Sequence, residues 1–244
     1  MPLAVMSAFI CLGKKYDIPK LYLEALKKVY REVPATLADY DALPTEWTLL
    51  DDSLEYMDFT ILARKSGLLS ILPFALYQCC LFYSTETIIN GLQSSDGRNL
   101  SLPLQDQFAC LGGYRACCEI QATTTFAWIH DSDRLAPSCT KPEDCKKAKQ
   151  DYNLKHFNSS PDLDGLNEWC YCTPPGLCDE CIEEGRLKHG VGREEFWDKL
   201  PGIFNLPPWT ELLKERQEMY IDFKPTFPCA LIASSAEIDT LAFN

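Results

Sequence analysis

Six of the chain's 13 cysteines fall between residues 139 and 181, in three close pairs. Cys139 and Cys145 have five residues between them, Cys170 and Cys172 one, and Cys178 and Cys181 two. A C-x-x-C turn aims two thiolates at one ion, and a second pair completes a tetrahedral shell. The ligand set expected from this spacing is Cys139, Cys145, Cys178 and Cys181, with Cys170 and Cys172 as alternates. One intervening residue makes joint ligation by that last pair awkward. Soft thiolate donors in a closed set point to zinc in a structural role. The segment around them has few large apolar residues, so a metal would help to hold it together. Free reduced thiols in a loop-rich region are the competing reading. Redox chemistry of the thioredoxin type ranks below both, because its C-x-x-C opens a helix after a strand and no strand pattern precedes Cys178. His156 and His189 are outside candidates, read as exposed helix residues.

Outside this segment the pattern is helical. Met6, Phe9, Ile10 and Gly13 share one face, Pro19 suits the first turn of a second helix, and Tyr22, Leu26, Val29 and Tyr30 form its apolar stripe. A tight turn at Tyr16-Asp17-Ile18 joins the two. Pro34 to Trp47 reads as a connection, Leu54 to Arg64 as a helix stopped by Gly67, and Leu68 to Tyr83 as a buried helix with Pro73 in its first turn or at a kink. Ser94 to Asn99 is a polar loop. Leu104 to Ile129 reads as one long helix, closed by His130, with Leu104, Phe108, Leu111, Cys118, Ala122 and Ile129 on one face, although Gly112-Gly113 and Thr123 to Thr125 weaken it. Cys79, Cys80, Cys110, Cys117 and Cys118 are expected to pack in the core as small hydrophobes.

The expected fold is therefore mostly α: a helical body followed by a small cysteine-rich, loop-rich C-terminal lobe. The divisions read from the pattern are a helix pair at residues 1–33, further helices at 34–136, the cysteine-rich lobe with its closing helices at 137–220, and a loosely ordered tail at 221–244. Hydrophobic residues make up 46% of the 244, enough for a sizeable core.

Charge and missing motifs narrow the function. The formal net charge is −12, which disfavours a phosphate backbone as partner. The best basic stretch holds Lys146, Lys147 and Lys149 but also Glu143 and Asp144, and reads as a solvated helix face. Asp162, Asp164, Asp179, Glu180, Glu183 and Glu184 read as an acidic surface. No apolar run reaches the ~20 residues of a membrane span. The apolar start, Met1 to Ile10, has no basic leader or cleavage site, so it reads as a helix, and the expected location is intracellular, cytoplasm or nucleus. No hydrolase, zincin or P-loop motif occurs, and Gly112-Gly113 lies inside a helical pattern. The chain is expected not to be an enzyme.

Three stretches resemble a family. Gly13-Lys14-Lys15-Tyr16-Asp17-Ile18-Pro19-Lys20-Leu21 resembles the last helix pair of a BTB (POZ) domain. Ala63 to Cys80 is similar to the segment that follows BTB in a group of mushroom-type fungal proteins. Cys178-Asp179-Glu180-Cys181, Gly192-Arg193 with Phe196 to Pro201, and Phe204 to Trp209 resemble that group's closing motif. In that motif Phe196, Trp197, Leu200, Phe204, Leu206 and Trp209 read as anchors that cover the cysteine segment or pin it to the body. The resemblance covers the end of the BTB fold and not the mixed sheet and dimer-forming helices that precede it in the family. The family's dimerisation and cullin-type ligase contact are therefore not carried over. What it implies is a protein–protein interaction or adaptor protein with protein partners, self-association being left open. The alternatives are a zinc-stabilised nuclear regulator contacting nucleic acid and a thiol-dependent enzyme.

Overall fold

The computed structural model describes residues 3–43, 56–94, 97–157 and 162–217. The expected tail, the start of the expected helix at Leu54 and the end of the connection at Trp47 lie outside them. The described residues are mostly α-helical, with one two-stranded antiparallel ribbon, Leu92–Gln93 against Asn99–Leu100.

The hairpin forms as the sequence suggests. Helix α1 (Leu3–Lys15) and α2 (Pro19–Arg31) meet at a turn where Asp17 takes φ of 50°, and the Ile18 N–H donates to the Gly13 carbonyl at 2.9 Å. Gly13 is required there, since a Cβ would lie 2.8 Å from the Tyr22 backbone nitrogen. A capping box between Thr36 and Asp39 starts the short α3 (Leu37–Asp41). Helix α4 (Tyr56–Ser66) ends before Gly67, whose φ of 75° suits only glycine well. A 3-10 turn at Leu69–Ile71 leads into α5 (Leu72–Phe82), with Pro73 in its first turn and nearly every residue buried. Helix α6 (Thr85–Asn90) is capped by Ser84.

The expected long helix is two helices. Helix α7 covers Leu104–Thr123, the chain breaks at Thr124, and α8 is only Ala127–His130. His130 thus closes α8, and it is exposed. The apolar face named from the sequence divides: Ile129 is fully buried and Leu111 and Cys118 pack against the large core, whereas Leu104 and Phe108 are each 64% exposed and the fully buried side of α7 is Asp106, Cys110, Gly113, Cys117 and Gln121. The buried polar members find partners inside, although Gln121 Oε1 is left without one. Asp106 takes a forked bond from Arg64, with Nε at 2.8 and 3.1 Å, and Gln121 Nε2 donates to the Asp162 carbonyl at 2.7 Å. Of the five cysteines expected in the core, Cys79, Cys80, Cys110 and Cys117 are buried and Cys118 is partly so.

Helix α9 (Pro142–Phe157), α10 (Trp169–Cys172) and α11 (Asp179–Ile203) follow, then α12 (Trp209–Leu212) and α13 (Lys214–Gln217). Two apolar cores result. The larger runs from α1 through α7 and takes in Phe196, Trp197, Leu200, Phe204 and Trp209. The smaller gathers Phe126, Trp128, Ile129, Ala148, Tyr152 and Leu177 around the cysteines. The closing aromatics therefore pin the chain to the body rather than cover the cysteines. The C-terminal turn is tied down by charge. Glu215 accepts from the Leu69 and Ser70 N–H groups at 3.0 and 2.7 Å, and Arg216 donates to Ser70 Oγ and to the Val33 carbonyl at 2.9 and 3.0 Å.

Helix α11 passes through both cores, and its glycines allow it. A Cβ on Gly192 would lie 2.6 Å from the Thr125 Cα, a clash with backbone that cannot rotate away. Gly190, on the same helix, has nothing within 4 Å. Gly192→Ala is expected to lower stability by about 1–3 kcal/mol through overpacking, while Gly190→Ala raises it by about 0.5–1 kcal/mol through helix propensity. Urea denaturation of the two variants checks this, and equal effects would refute the close approach at Gly192.

Candidate metal centre

Cys139, Cys145, Cys178 and Cys181 converge: their sulfur atoms all lie within 4.8 Å of one another, and all but Cys139 are buried. The local chain dictates the convergence. After Pro137 a turn closes, with the Cys139 N–H on the Ala136 carbonyl at 3.0 Å. Pro142 opens α9, which places Cys145 in that helix's first turns. Cys178 is the N-cap of α11 and Cys181 stands one turn inside it. Two helix N-termini thus meet at the sulfurs, and their partial positive charge favours thiolates.

Backbone N–H groups add to this. The Cys178 N–H donates to Cys145 Sγ at 3.2 Å. Burial pushes the Cys178 thiol up, but hydrogen bonds from the Cys181 and Thr140 backbones outweigh it and hold the thiol at about 6. Burial dominates at its neighbours, raising Cys145 and pushing Cys181 up to about 12. The Cys178 and Cys139 sulfurs are 3.7 Å apart, far beyond a disulfide bond of about 2.0 Å. That separation suits an ion, because a tetrahedron with metal–sulfur bonds of about 2.3 Å has edges of about 3.8 Å. The four cysteines lie close enough to hold a metal ion.

The alternates stay apart. Cys170 is exposed, with its Sγ 3.8 Å from Glu168 Oε2, and Cys172 is buried in the small core, where burial and the nearby Asp164 raise its thiol to about 12. His156 lies in α9, and its side chain is outside the described residues. The acidic residues expected at the surface are exposed or partly so, with Glu183 paired to Arg186 and Glu184 to Lys188.

Two expectations around the site fail for one physical reason. Lys149 is not solvated: it is 4% exposed, and its ammonium donates to the carbonyls of Trp128, Asp131 and Arg134 at 2.9, 3.4 and 2.8 Å. It caps the C-terminal end of α8, where a cation is favoured. His189 is not an exposed helix residue either. It is fully buried between the Phe126 and Trp169 rings, with Nε2 2.9 Å from the Asn167 carbonyl. In both cases a polar side chain is carried inside by backbone carbonyls distant in sequence, which periodicity does not register.

His189 belongs to a larger arrangement that the sequence reading missed. The segment from Asp162 to Asn167 crosses the interior, and buried side chains meet its carbonyls in turn. Gln121 meets Asp162, Tyr77 meets Leu163 at 3.0 Å, Thr125 meets Gly165 at 2.7 Å, Arg193 meets Leu166 at 3.1 Å and His189 meets Asn167. Arg193 also pairs with Asp41, joining α11 to α3. Beside α8 and α11 a cleft of about 390 Å³ is lined by Trp128, Arg134, Leu187, Lys188, Val191 and Glu195 among others.

Comparison with family models, with curated proteins and with solved structures returned no match. No helix among the described residues is long and apolar enough to cross a membrane.

The Asn167 carbonyl can only accept, so His189 carries its proton on Nε2. Burial lowers the imidazole's affinity for a second proton. The folded pKa thus lies below the usual value of about 6.5, and the unfolded chain takes up a proton first as pH falls. His189's contribution is complete above about pH 6.5 and is lost as the pH drops toward the folded pKa. A side-chain NMR titration is expected to show the Nε2–H tautomer and a midpoint below 6.5. A midpoint at or above that value contradicts the buried neutral assignment.

Proposed function

We propose that the protein is a non-enzymatic protein–protein interaction module of the BTB-containing kind, with its cysteine-rich lobe folded around one structural zinc ion. The closed four-sulfur set carries the reading. Thiolates are soft donors that select zinc over hard cations, and four protein ligands leave no open position for water or substrate. That composition belongs to a structural site. With the ion bound, the lobe gains the enthalpy of four metal–sulfur bonds in place of a large apolar core.

The interaction half rests on surface chemistry. Val5, Phe9, Leu12 and Tyr16 are 36, 36, 43 and 61% exposed and follow one another at helical spacing along α1 and the turn after it. The hairpin also carries Lys14, Lys15, Lys20, Lys27, Lys28 and Arg31 against Asp17, Glu24 and Glu32, on a chain whose net charge is −12. An apolar stripe edged with lysines suits a protein groove with an acidic rim. The resemblance of this hairpin to the end of a BTB domain accounts for the same face as one that a BTB core would cover.

The thiol-enzyme reading has one observation in its favour, the Cys178 thiol held at about 6. A metal ligand needs the same lowered thiol, and Cys178 is only 5% exposed. The nucleic-acid reading draws little from the lobe's surface, since Lys149 is buried and Lys146 is paired with Asp133.

Elemental mass spectrometry of the purified chain tests the zinc. About one zinc per chain is expected, lost with thermal stability in Cys145→Ser and in Cys178→Ser and retained in Cys170→Ser. Folded protein without metal would sink the zinc assignment. Rapid alkylation of Cys178 in metal-loaded protein would favour thiol chemistry. The interaction half is tested by capture from native extract with wild type and Phe9→Glu. A partner held by the first and released by the second is expected, and identical captures count against the α1 face.

A further inference from the structure

The cleft of about 390 Å³ beside α8 and α11 has an apolar wall and a charged rim. Ala127 and Trp128 of α8 and Leu187 and Val191 of α11 supply the wall. Leu187 and Val191 stand one turn apart and are 55 and 66% exposed, so two large aliphatic groups border the opening. Trp128 is 6% exposed, and its indole N–H is buried without an acceptor. The volume lies within the range of small-molecule sites, about 300–1,000 Å³.

The rim carries Asp131, Arg134, Lys188 and Glu195. Two of these are neutralised on their own helix, Lys188 by Glu184 and Glu195 by Lys199. The Asp131 carboxylate and the Arg134 guanidinium form no ion pair among the described residues, with each other or with a third group. Both belong to one turn, in which the Arg134 N–H donates to the Asp131 carbonyl at 3.2 Å. That turn is fixed. The buried Lys149 ammonium donates to the carbonyls of both residues, and Asp133 between them pairs with Lys146. A carboxylate and a guanidinium, neither neutralised, are thus held on a rigid backbone beside an apolar wall.

We propose that the cleft binds a free α-amino acid with a large apolar side chain. Such a molecule carries its ammonium and its carboxylate on one carbon, which matches two opposite charges on one turn. The carboxylate meets Arg134, whose planar fork suits it, and the ammonium meets Asp131. The side chain lies against Leu187, Val191 and Trp128, where its apolar area leaves water. A plain carboxylic acid would set an anion beside Asp131, and a plain amine would set a cation beside Arg134, so both are disfavoured. Both rim charges are exposed, which weakens each ion pair. For a ligand of about a dozen non-hydrogen atoms the dissociation constant is roughly 0.1–1 mM. The site does not depend on the zinc assignment or on the α1 face.

Amide NMR titration of the full, metal-replete chain with L-phenylalanine tests this. Saturable shifts are expected at Ala127, Trp128 and Val191. Phenethylamine, which lacks the carboxylate, and 3-phenylpropionate, which lacks the ammonium, are each expected to bind at least about tenfold more weakly. Arg134→Gln and Asp131→Asn, both at exposed positions, are each expected to weaken L-phenylalanine about tenfold with an unchanged melting temperature. Phe9→Glu, on the separate α1 face, is expected to bind it as the wild type does. No binding of L-phenylalanine, L-leucine or L-tryptophan up to about 10 mM overturns the proposal. So does binding that either analogue matches, or that Arg134→Gln and Asp131→Asn both leave unchanged.

Discussion

One helix passes through both cores, and the rest of the chain is arranged around it. Helix α11 presents Cys181, Gly185, His189, Gly192 and Phe196 at intervals of four, four, three and four, so they line one side. The first member belongs to the four-cysteine cluster and the last to the large core. Between them the helix must pass close to its neighbours. A Cβ on Gly185 would lie 2.8 Å from the Trp169 ring and 3.0 Å from Trp128. At Gly192 the neighbour is the Thr124–Thr125 backbone, the place where α7 gives way to α8. The break in the long helix and the glycine that faces it belong to one packing solution. A continuous helix through Thr124 would redirect Trp128 and Ile129, which belong to the small core.

This geometry would give an ion held by the four cysteines its leverage. The small core is built from few large side chains, and three of its members are the candidate site's own Cys145, Cys178 and Cys181. Three or four uncoordinated thiols contribute little beyond their modest apolar area. An ion joining them would link the loop at Cys139 and the start of α9 to the start of α11, a connection between segments some 40 residues apart. Because α11 continues into the large core, order imposed at its first turn is transmitted along a hydrogen-bonded rod rather than through a flexible linker. With an ion bound, the convergence of two helix N-termini on the sulfurs would offset part of the negative charge that four thiolates bring together.

Much of this was legible in the sequence. The hairpin at Gly13 to Pro19 announces itself because turn chemistry is local: one glycine, one aspartate able to take positive φ, one proline at a helix start. The four cysteines were legible because ligand spacing constrains geometry directly. What failed was the orientation of polar residues. Lys149 and His189 read as surface groups, yet each is buried against carbonyls between 15 and 22 residues away in sequence. Helix α7 failed in the same way. Its periodicity was real, but a period fixes which residues share a face and not which face meets the core. Asp106 and Gln121 could be drawn inward because Arg64 and the Asp162 carbonyl were waiting there.

That last point ties the buried polar network to the surface of the molecule. The Asp162–Asn167 segment needs partners for its interior carbonyls, since an unpaired buried carbonyl costs about 1–3 kcal/mol. Helix α7 supplies Gln121, and Thr125 just beyond its end supplies a second donor. Meeting that demand fixes the rotation of α7 about its own axis, because Gln121, Cys117, Gly113, Cys110 and Asp106 must then face inward together. Gly113 completes the fit by admitting the Phe204 ring, whose Cδ1 would lie 2.8 Å from a Cβ there. Once that rotation is set, Leu104 and Phe108 have nowhere to point but outward. The exposure of Leu104 and Phe108 is thus a consequence of pairing polar groups in the interior.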